Sequence, residues 1–318
     1  MPNPTAASLH VDSLLTNMSI GYKNLSYIAD EAFPIVPVQK QSDIIPQFDQ
    51  SHWFRDLAVI RAPGTKSQRA GWKVTTDATY FCQRYSFGAE IADDIRNNTD
   101  QPFNLDREAV EFVSDKMALK REAAFATDFF TDSVWGSDKT GGTDFAKWSS
   151  YGDSTPLVDI TGWQDDVEAS IAAEPRTMIV GKQVWVQLKW HPSVIDSIKY
   201  TQTGVVGPDL FASLADLDKL LIGRAIKTTT NMGVAEASVT YSRIWGKKTL
   251  LLYVPPTASL MKPAAGYTFV WNVVPGALQY MKRMRDEEAE IDIIEGNSYF
   301  DQKAVVTGAG LYSTSTVA

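Results

Sequence analysis

The sequence predicts an α+β fold, on three observations: one long uninterrupted helical segment, a mixed helix-and-strand stretch of domain size in mid-chain, and strand-rich segments before the helix and at the far end. The helical segment is NLDREAVEFVSDKMALKREAAFATDFF, residues 104–130, which contains no Gly or Pro and is dense in good helix formers. Asn104 reads as the N-cap, and Asp106 and Glu108 stand in the first turn, where the helix dipole favours acids. Leu105, Ala109, Phe112, Val113, Met117, Ala124 and Phe129 approximate one apolar face. At 1.5 Å per residue such a helix spans roughly 40 Å, the length of a spine.

The other elements follow in order. Residues 8–20 read as a short amphipathic helix through Leu14, Leu15 and Met18. From Phe33 to Phe48, Pro34, Pro37 and Pro46 among β-branched residues forbid a helix and favour extended chain. An apolar extended segment that cannot join the middle of a sheet needs another surface to lie on, so this stretch reads as an arm. Trp53 to Ile60 and Trp72 to Ile91 read as strands on either side of RAPGTKSQRAGW, residues 61–72, which Pro63-Gly64 and Ala70-Gly71 punctuate as turns. The pattern predicts a long β-hairpin whose tip is carried on the order of 30 Å from a compact body. Such a bare two-stranded projection is marginal in water and needs a partner surface.

After the long helix, Gly136 to Ser154 reads as a loop or a boundary. Trp163 to Ala173 reads as a helix, and the alternation of Val184, Val186, Leu188 and Trp190 as a strand. Pro192 opens a short helix through Val194, Ile195 and Ile198, and Asp209 to Leu221 is helical. Thr249 to Val254 reads as a buried strand, so residues 155–262 form a mixed α/β unit. From Tyr267 onward the chain is strand-like throughout.

With 318 residues, 44% of them apolar, the chain supports about two domains with real cores. A net charge of −8 argues against long-range attraction to nucleic acid by the chain as a whole. A single cysteine, Cys82, forbids an intramolecular disulfide and supplies too few ligands for a thiolate metal site, a usage that suits a reducing cytoplasm. No run of eighteen apolar residues occurs, so neither a membrane span nor a signal peptide is expected.

Gly64-Thr65-Lys66-Ser67 imitates the end of a phosphate-binding loop. That motif needs a second glycine where Thr65 stands, an earlier glycine that is missing, and a helix to follow, whereas Trp72-Lys73-Val74 continues as strand. His10, His52 and His191 are scattered without metal-ligand spacing, and His191 before Pro192 reads as a capping or core residue. No G-x-S-x-G serine occurs, and the adjacent pairs Asp93-Asp94 and Asp165-Asp166 point apart, so no catalytic, cofactor-binding or metal-binding residue is assigned. What remains is a surface for protein contact. Arg61, Lys66, Arg69 and Lys73 put four cations in thirteen residues, with Trp53, Phe54 and Trp72 close by. Asp286, Glu287, Glu288 and Glu290, directly after Lys282, Arg283 and Arg285, offer the opposite sign. Exposed ion pairs contribute only about 0 to 1 kcal/mol each, so such a contact sets register while the aromatic residues supply affinity.

In LLTNMSIGYKN, YIADEAFPIVPVQKQSDIIPQFD, HWFRD followed by RAPGTKSQRAGW, and the long helical segment, the sequence resembles the major capsid proteins of tailed double-stranded DNA bacteriophages. The resemblance implies the HK97-like fold. It makes residues 1–50 the N-terminal arm, 51–92 the extended hairpin loop, 93–154 and 263–318 a peripheral domain with spine helix 104–130, and 155–262 the axial domain. It implies a non-enzymatic subunit that self-assembles into pentamers and hexamers of an icosahedral shell around double-stranded DNA, packed without sequence specificity. The virion capsid would be built in the host bacterial cytoplasm, without a membrane or a cofactor. Its partners would be itself, a portal, a decoration protein and a separate scaffolding protein, the last because no long charged helical segment precedes the arm. Some relatives join a hairpin lysine to an asparagine of a neighbour, for which Lys66 and Asn297 are the positions on offer. An encapsulin-type nanocompartment shell is the alternative on the same fold, and a nucleotide-binding enzyme using Gly64 to Ser67 is the remote one.

Overall fold

The structure, a computed structural model, describes residues 24, 26–48, 50–99, 104–199, 206–231, 233–255, 262–273 and 278–318. The helix expected at 8–20 lies outside these residues. Along the chain come α1 (Ala29–Ala32), β1 (Ile35–Val38), β2 (Ser42–Phe48), α2 (Gln50–Trp53), β3 (Val74–Phe81), β4 (Gln83–Ala92), α3 (Asp93–Asn97) and α4 (Leu105–Asp128). There follow β5 (Ser137–Thr140), α5 (Pro156–Ile171), β6 (Thr177–Gly181), α6 (Lys182–Lys189), α7 (Pro192–Ile198), α8 (Pro208–Leu214) and β7 (Lys219–Gly223). The chain finishes with β8 (Ile226–Thr228), β9 (Tyr241–Arg243), β10 (Thr249–Leu252), β11 (Gly266–Trp271), β12 (Tyr280–Asp286), β13 (Ile291–Ala304) and β14 (Gly310–Thr314).

Two five-stranded sheets organise these elements. In the first, β13 is long enough to receive three strands: β12 along Ile291 to Asn297, β4 along Ile291 to Phe300, and β11 along Phe300 to Ala304, all antiparallel. Parallel β1 completes its far side. Helix α4 lies on β4 and β13, and Gly296 lets it come close, because a Cβ there would stand 2.5 Å from Cγ1 of Val113. Asn104 caps α4 by accepting the Arg107 N–H at 3.1 Å, as its sequence position predicts. Ala109, Val113, Met117 and Phe125 face inward, while Phe112 stays exposed beside Phe87, with ring centroids 5.7 Å apart.

The second sheet runs β5-β14-β10-β6-β7, and β6 and β10 are buried along their whole length, as fully apolar central strands are. Two of its five strands, β5 and β14, lie outside residues 155–262, so the α/β unit draws on chain from before and after that range. The end of α4 plugs into its core. Phe125 and Phe130 meet Trp245 at 5.7 and 5.0 Å, and Phe130 meets Tyr312 at 5.8 Å, so the end of the helix joins the second sheet in one aromatic cluster that also takes in Phe33.

Four expectations are corrected. The stretch 136–154, expected to be a loop or a boundary, contributes β5, which pairs parallel with β14. The alternation at Val184 to Trp190 does not make a strand: α6 turns Val184, Trp185 and Leu188 inward at helical spacing and leaves Val186 and Trp190 exposed. The helix expected over Asp209 to Leu221 stops at Leu214, where Asp216 takes a left-handed φ of 51°, and Lys219–Gly223 becomes a strand parallel to β6. The outgoing strand of the hairpin is β2, inside the stretch read as an arm, and not Trp53 to Ile60. Proline escapes the usual exclusion here because Pro46 falls at the register shift between Ile45 and Gln47, where no ladder N–H is required. The returning strand holds in two pieces, β3 and β4, hinged at buried Cys82, whose N–H donates to Gln41 O at 2.8 Å.

Candidate intersubunit surface

The β2–β3 ladder carries residues 54–73, a loop without helix or strand. Its tip is built from Ala62 to Thr65: the Thr65 N–H donates to Ala62 O at 3.2 Å, the Thr65 hydroxyl donates to the same oxygen at 2.8 Å, and Gly64 has φ 81°. Proline then glycine in the middle of a four-residue turn, the glycine at positive φ, is a type II turn. No helix follows it, so its N–H groups make no phosphate cradle.

Apolar side chains on this loop are left in water. Trp53 is 53% exposed although it meets Phe48 edge-on at 5.9 Å, Phe54 is 61% exposed, and Trp72 is 71% exposed. Ile60 is fully exposed. Arg61, Lys66, Arg69 and Lys73 are exposed as well, and none of them forms an ion pair among the described residues. Large apolar groups gathered on one projection, with unpaired cations between them, are what a contact surface leaves in the isolated chain.

The acids occupy the β12–β13 turn. Asp286 accepts the N–H groups of Glu288 and Ala289 at 3.0 and 3.2 Å, and Glu290 adopts a left-handed φ of 52°. Asp286, Glu287, Glu288 and Glu290 are exposed, and within one chain the structure does not pair them with the loop cations. The neighbouring arginines are already engaged. Asp292 is bound by Arg96, by Arg283 at 2.7 Å and by Arg285 at 3.5 Å, while Arg285 also grips Asp93 at 2.6 Å and Arg96 grips Asp106 at 2.8 Å. Arg283, with Arg96, holds the Asp292 carboxyl well below the usual carboxylate range. Asp292 is not among the residues the sequence singles out, and its alternation with Ile294, buried like it, is the available signal.

Three other positions are decided by geometry. Asn297 is fully buried and its Oδ1 accepts from Arg84 at 2.6 and 2.9 Å, so its carboxamide is engaged within the subunit. His191 caps α7, its Nδ1 accepting the Ser193 N–H at 3.2 Å, and its Nε2 lies 2.9 Å from the Ser154 hydroxyl; both the capping and the core reading hold. Burial pushes the Cys82 thiol up to about 11. No group of three or more potential metal ligands occurs among the described residues, and none of their helices is long and apolar enough to cross a membrane.

Comparison with known proteins agrees with this architecture. No family model matches the sequence. The major capsid protein of Burkholderia phage BcepMu is 28% identical over 307 residues, covering 94% of each chain. That of Pseudomonas phage JBD67 is 25% identical over 252 residues, covering 78% of each. Among solved structures, a phage-related protein from Bordetella bronchiseptica superposes with a TM-score of 0.69 at 22% identity, covering 96% of this chain and 97% of the other. The capsid of cyanophage P-SCSP1u gives 0.64 at 11% identity, covering 96% and 92%. An encapsulin from Synechococcus elongatus gives 0.50 at 10% identity, covering 96% and 95%. The chain is thus similar to phage major capsid proteins along nearly its whole length and has the HK97-like fold of phage capsids.

Proposed function

We propose that this chain is the shell subunit of an icosahedral phage capsid, assembling into pentamers and hexamers that enclose double-stranded DNA. The single observation that carries the contact chemistry is the loop 54–73, which leaves Phe54, Ile60 and Trp72 in water with unpaired cations among them. In this reading the loop lies over the neighbouring subunit, Trp53, Phe54 and Trp72 supply the buried area, and Arg61, Lys66, Arg69 and Lys73 meet Asp286, Glu287, Glu288 or Glu290 of that neighbour. The arm ends near residue 50, the hairpin loop near 92, and α4 with the first sheet forms the peripheral domain. The second sheet, with its strands at Ser137–Thr140 and Gly310–Thr314 added to 155–262, forms the axial domain around the symmetry axes. Obligate contacts of this kind bury on the order of 2,000 to 5,000 Å².

The subunit works without catalysis or cofactor, in the virion, after assembly in the host cytoplasm. A separate scaffolding protein, a portal and a decoration protein are its expected partners. Deleting residues 61–72 tests the proposal: the variant is expected to fold and to give no regular shells in electron micrographs, and normal particles from it would sink the loop's role. The encapsulin likeness favours a second reading, a shell around an enzyme. Particle contents separate the two, nucleic acid supporting the capsid and protein cargo the nanocompartment.

A further inference from the structure

We propose that the chain carries a second binding site, a phosphate-binding pocket on the α/β unit, distinct from the hairpin loop. Lys147, Lys247 and Lys248 line a concavity of about 430 Å³ together with Thr314, Ser315 and Ala318. The lysines come from two distant stretches of sequence and the backbone fastens them together. Thr316 donates its N–H to Lys247 O at 3.1 Å and accepts the Trp148 N–H at 2.9 Å, so one residue ties the Lys147 and Lys247 segments to the end of β14. Gly181 donates to Lys248 O at 3.2 Å, and Gly141 to Thr314 O at 2.9 Å. The Lys248 ammonium is held as well, donating to Phe130 O at 2.9 Å over the Tyr312 ring at 5.6 Å.

The charge balance points to an anion. No Asp or Glu lines the pocket, and none of the three ammonium groups is ion-paired among the described residues. Three lysines without an acidic side chain among the lining residues make this a locally cationic patch in a chain whose net charge is −8. Lysines that line one concavity without an acidic side chain give it a positive field, which attracts a multivalent anion.

Phosphate fits better than a single carboxylate. Lysine acts as a point charge whose ammonium donates to an oxygen from many directions, and the volume suits a run of phosphate groups. Such a site reads no bases and so binds a nucleic acid backbone irrespective of sequence. Only the naming of nucleic acid as the source rests on the capsid reading; free polyphosphate has the same chemistry.

The experiment uses the full chain with two probes, sodium tripolyphosphate and a short labelled DNA duplex. Three lysines on a backbone give a log–log salt slope of about −2.7, which is roughly a forty-fold loss of affinity from about 50 to about 200 mM salt. Lys147→Gln with Lys247→Gln is expected to flatten the slope by about 2 and to weaken low-salt binding roughly ten-fold or more. Lys248 is kept, because its ammonium supports Phe130. Duplex bound and displaced by tripolyphosphate assigns the backbone of nucleic acid, and tripolyphosphate bound without duplex assigns a free phosphate. Equal affinity and slope in wild type and double variant overturn the pocket, as does polyglutamate binding as tightly as either phosphate probe. Should the double variant not fold, amine acetylation of the wild type decides: tripolyphosphate protects Lys147 and Lys247, and no protection overturns the proposal. Electron micrographs of the same samples report on shells independently, so the pocket and the capsid reading fail separately.

Discussion

Glu122 sits fully buried on the spine helix, where Oε2 accepts the N–H groups of Ile28 and Ala29, both at 2.9 Å, and Oε1 accepts the Trp245 indole at 2.7 Å. One carboxylate thereby fastens the start of α1, the long helix and Trp245 to each other, with Arg121 gripping Asp30 at 3.0 Å beside it. Burial pushes its pKa up to about 7, against the pull of the three N–H donors. A carboxyl raised in the folded state takes up a proton there that the unfolded chain has already released, so its contribution falls as pH rises from about 4.5 through about 7. Glu122→Gln turns an amide N–H toward one of these donors and is expected to cost about 1 to 3 kcal/mol. Urea midpoints at the two ends of that pH window check both points: the variant unfolds earlier at each, and its midpoint varies less between them. Nothing in the sequence pattern announced this residue, because an acid in a helix rich in charges reads as solvated.

Elements were legible where a local signal coincides with tertiary packing. The α4 cap and its acidic first turn are local, and the helix appears within two residues of its expected end at Phe130. Asn104→Ala removes the acceptor for the Arg107 N–H and is expected to lower stability by about 1 kcal/mol, read as a shift in thermal midpoint without loss of fold. Where a segment's environment is set by distant chain, periodicity misled. Val186 and Trp190 keep large apolar groups on the solvent side of α6, which counterfeits strand alternation, and β2 is a strand only because β3 lies beside it. The candidate site shows the same division: the Pro63-Gly64 turn was readable, whereas the arginine cluster on Asp292 joins residues nearly two hundred positions apart. That cluster ties α3, α4, β12 and β13. Because the Asp292 pKa is depressed by folding, its stabilisation is present above the ordinary aspartate value of about 3.9 and is lost as pH falls below it. Asp292→Asn is therefore expected to move acid unfolding to higher pH, seen by circular dichroism during acid titration.

For the whole molecule, the most telling property is that the loop 54–73 contributes apolar surface without contributing to the subunit's own core. Substitutions there separate folding from assembly. Ile60→Ser combined with Trp72→Ser is expected to change subunit stability by no more than about 0.5 kcal/mol, since both side chains are exposed, while particle yield collapses. Calorimetry of the subunit and light scattering of assembly mixtures measure the two halves of that statement, and a parallel loss of both would mean that the loop belongs to the fold.

The long strand Ile291–Ala304 has a bearing on the life of the protein in the cell. It is the partner of β4, made some two hundred residues earlier at the ribosome, and β14, the strand next to β10, is made later still. Neither sheet can close until this final portion has been translated. A half-made subunit therefore holds an open scaffold with unpaired edges, and is unable to offer a finished face to its neighbours while still tethered to the translation machinery. Closure of both sheets therefore waits on the synthesis of β13 and β14, however early the rest of the chain is made.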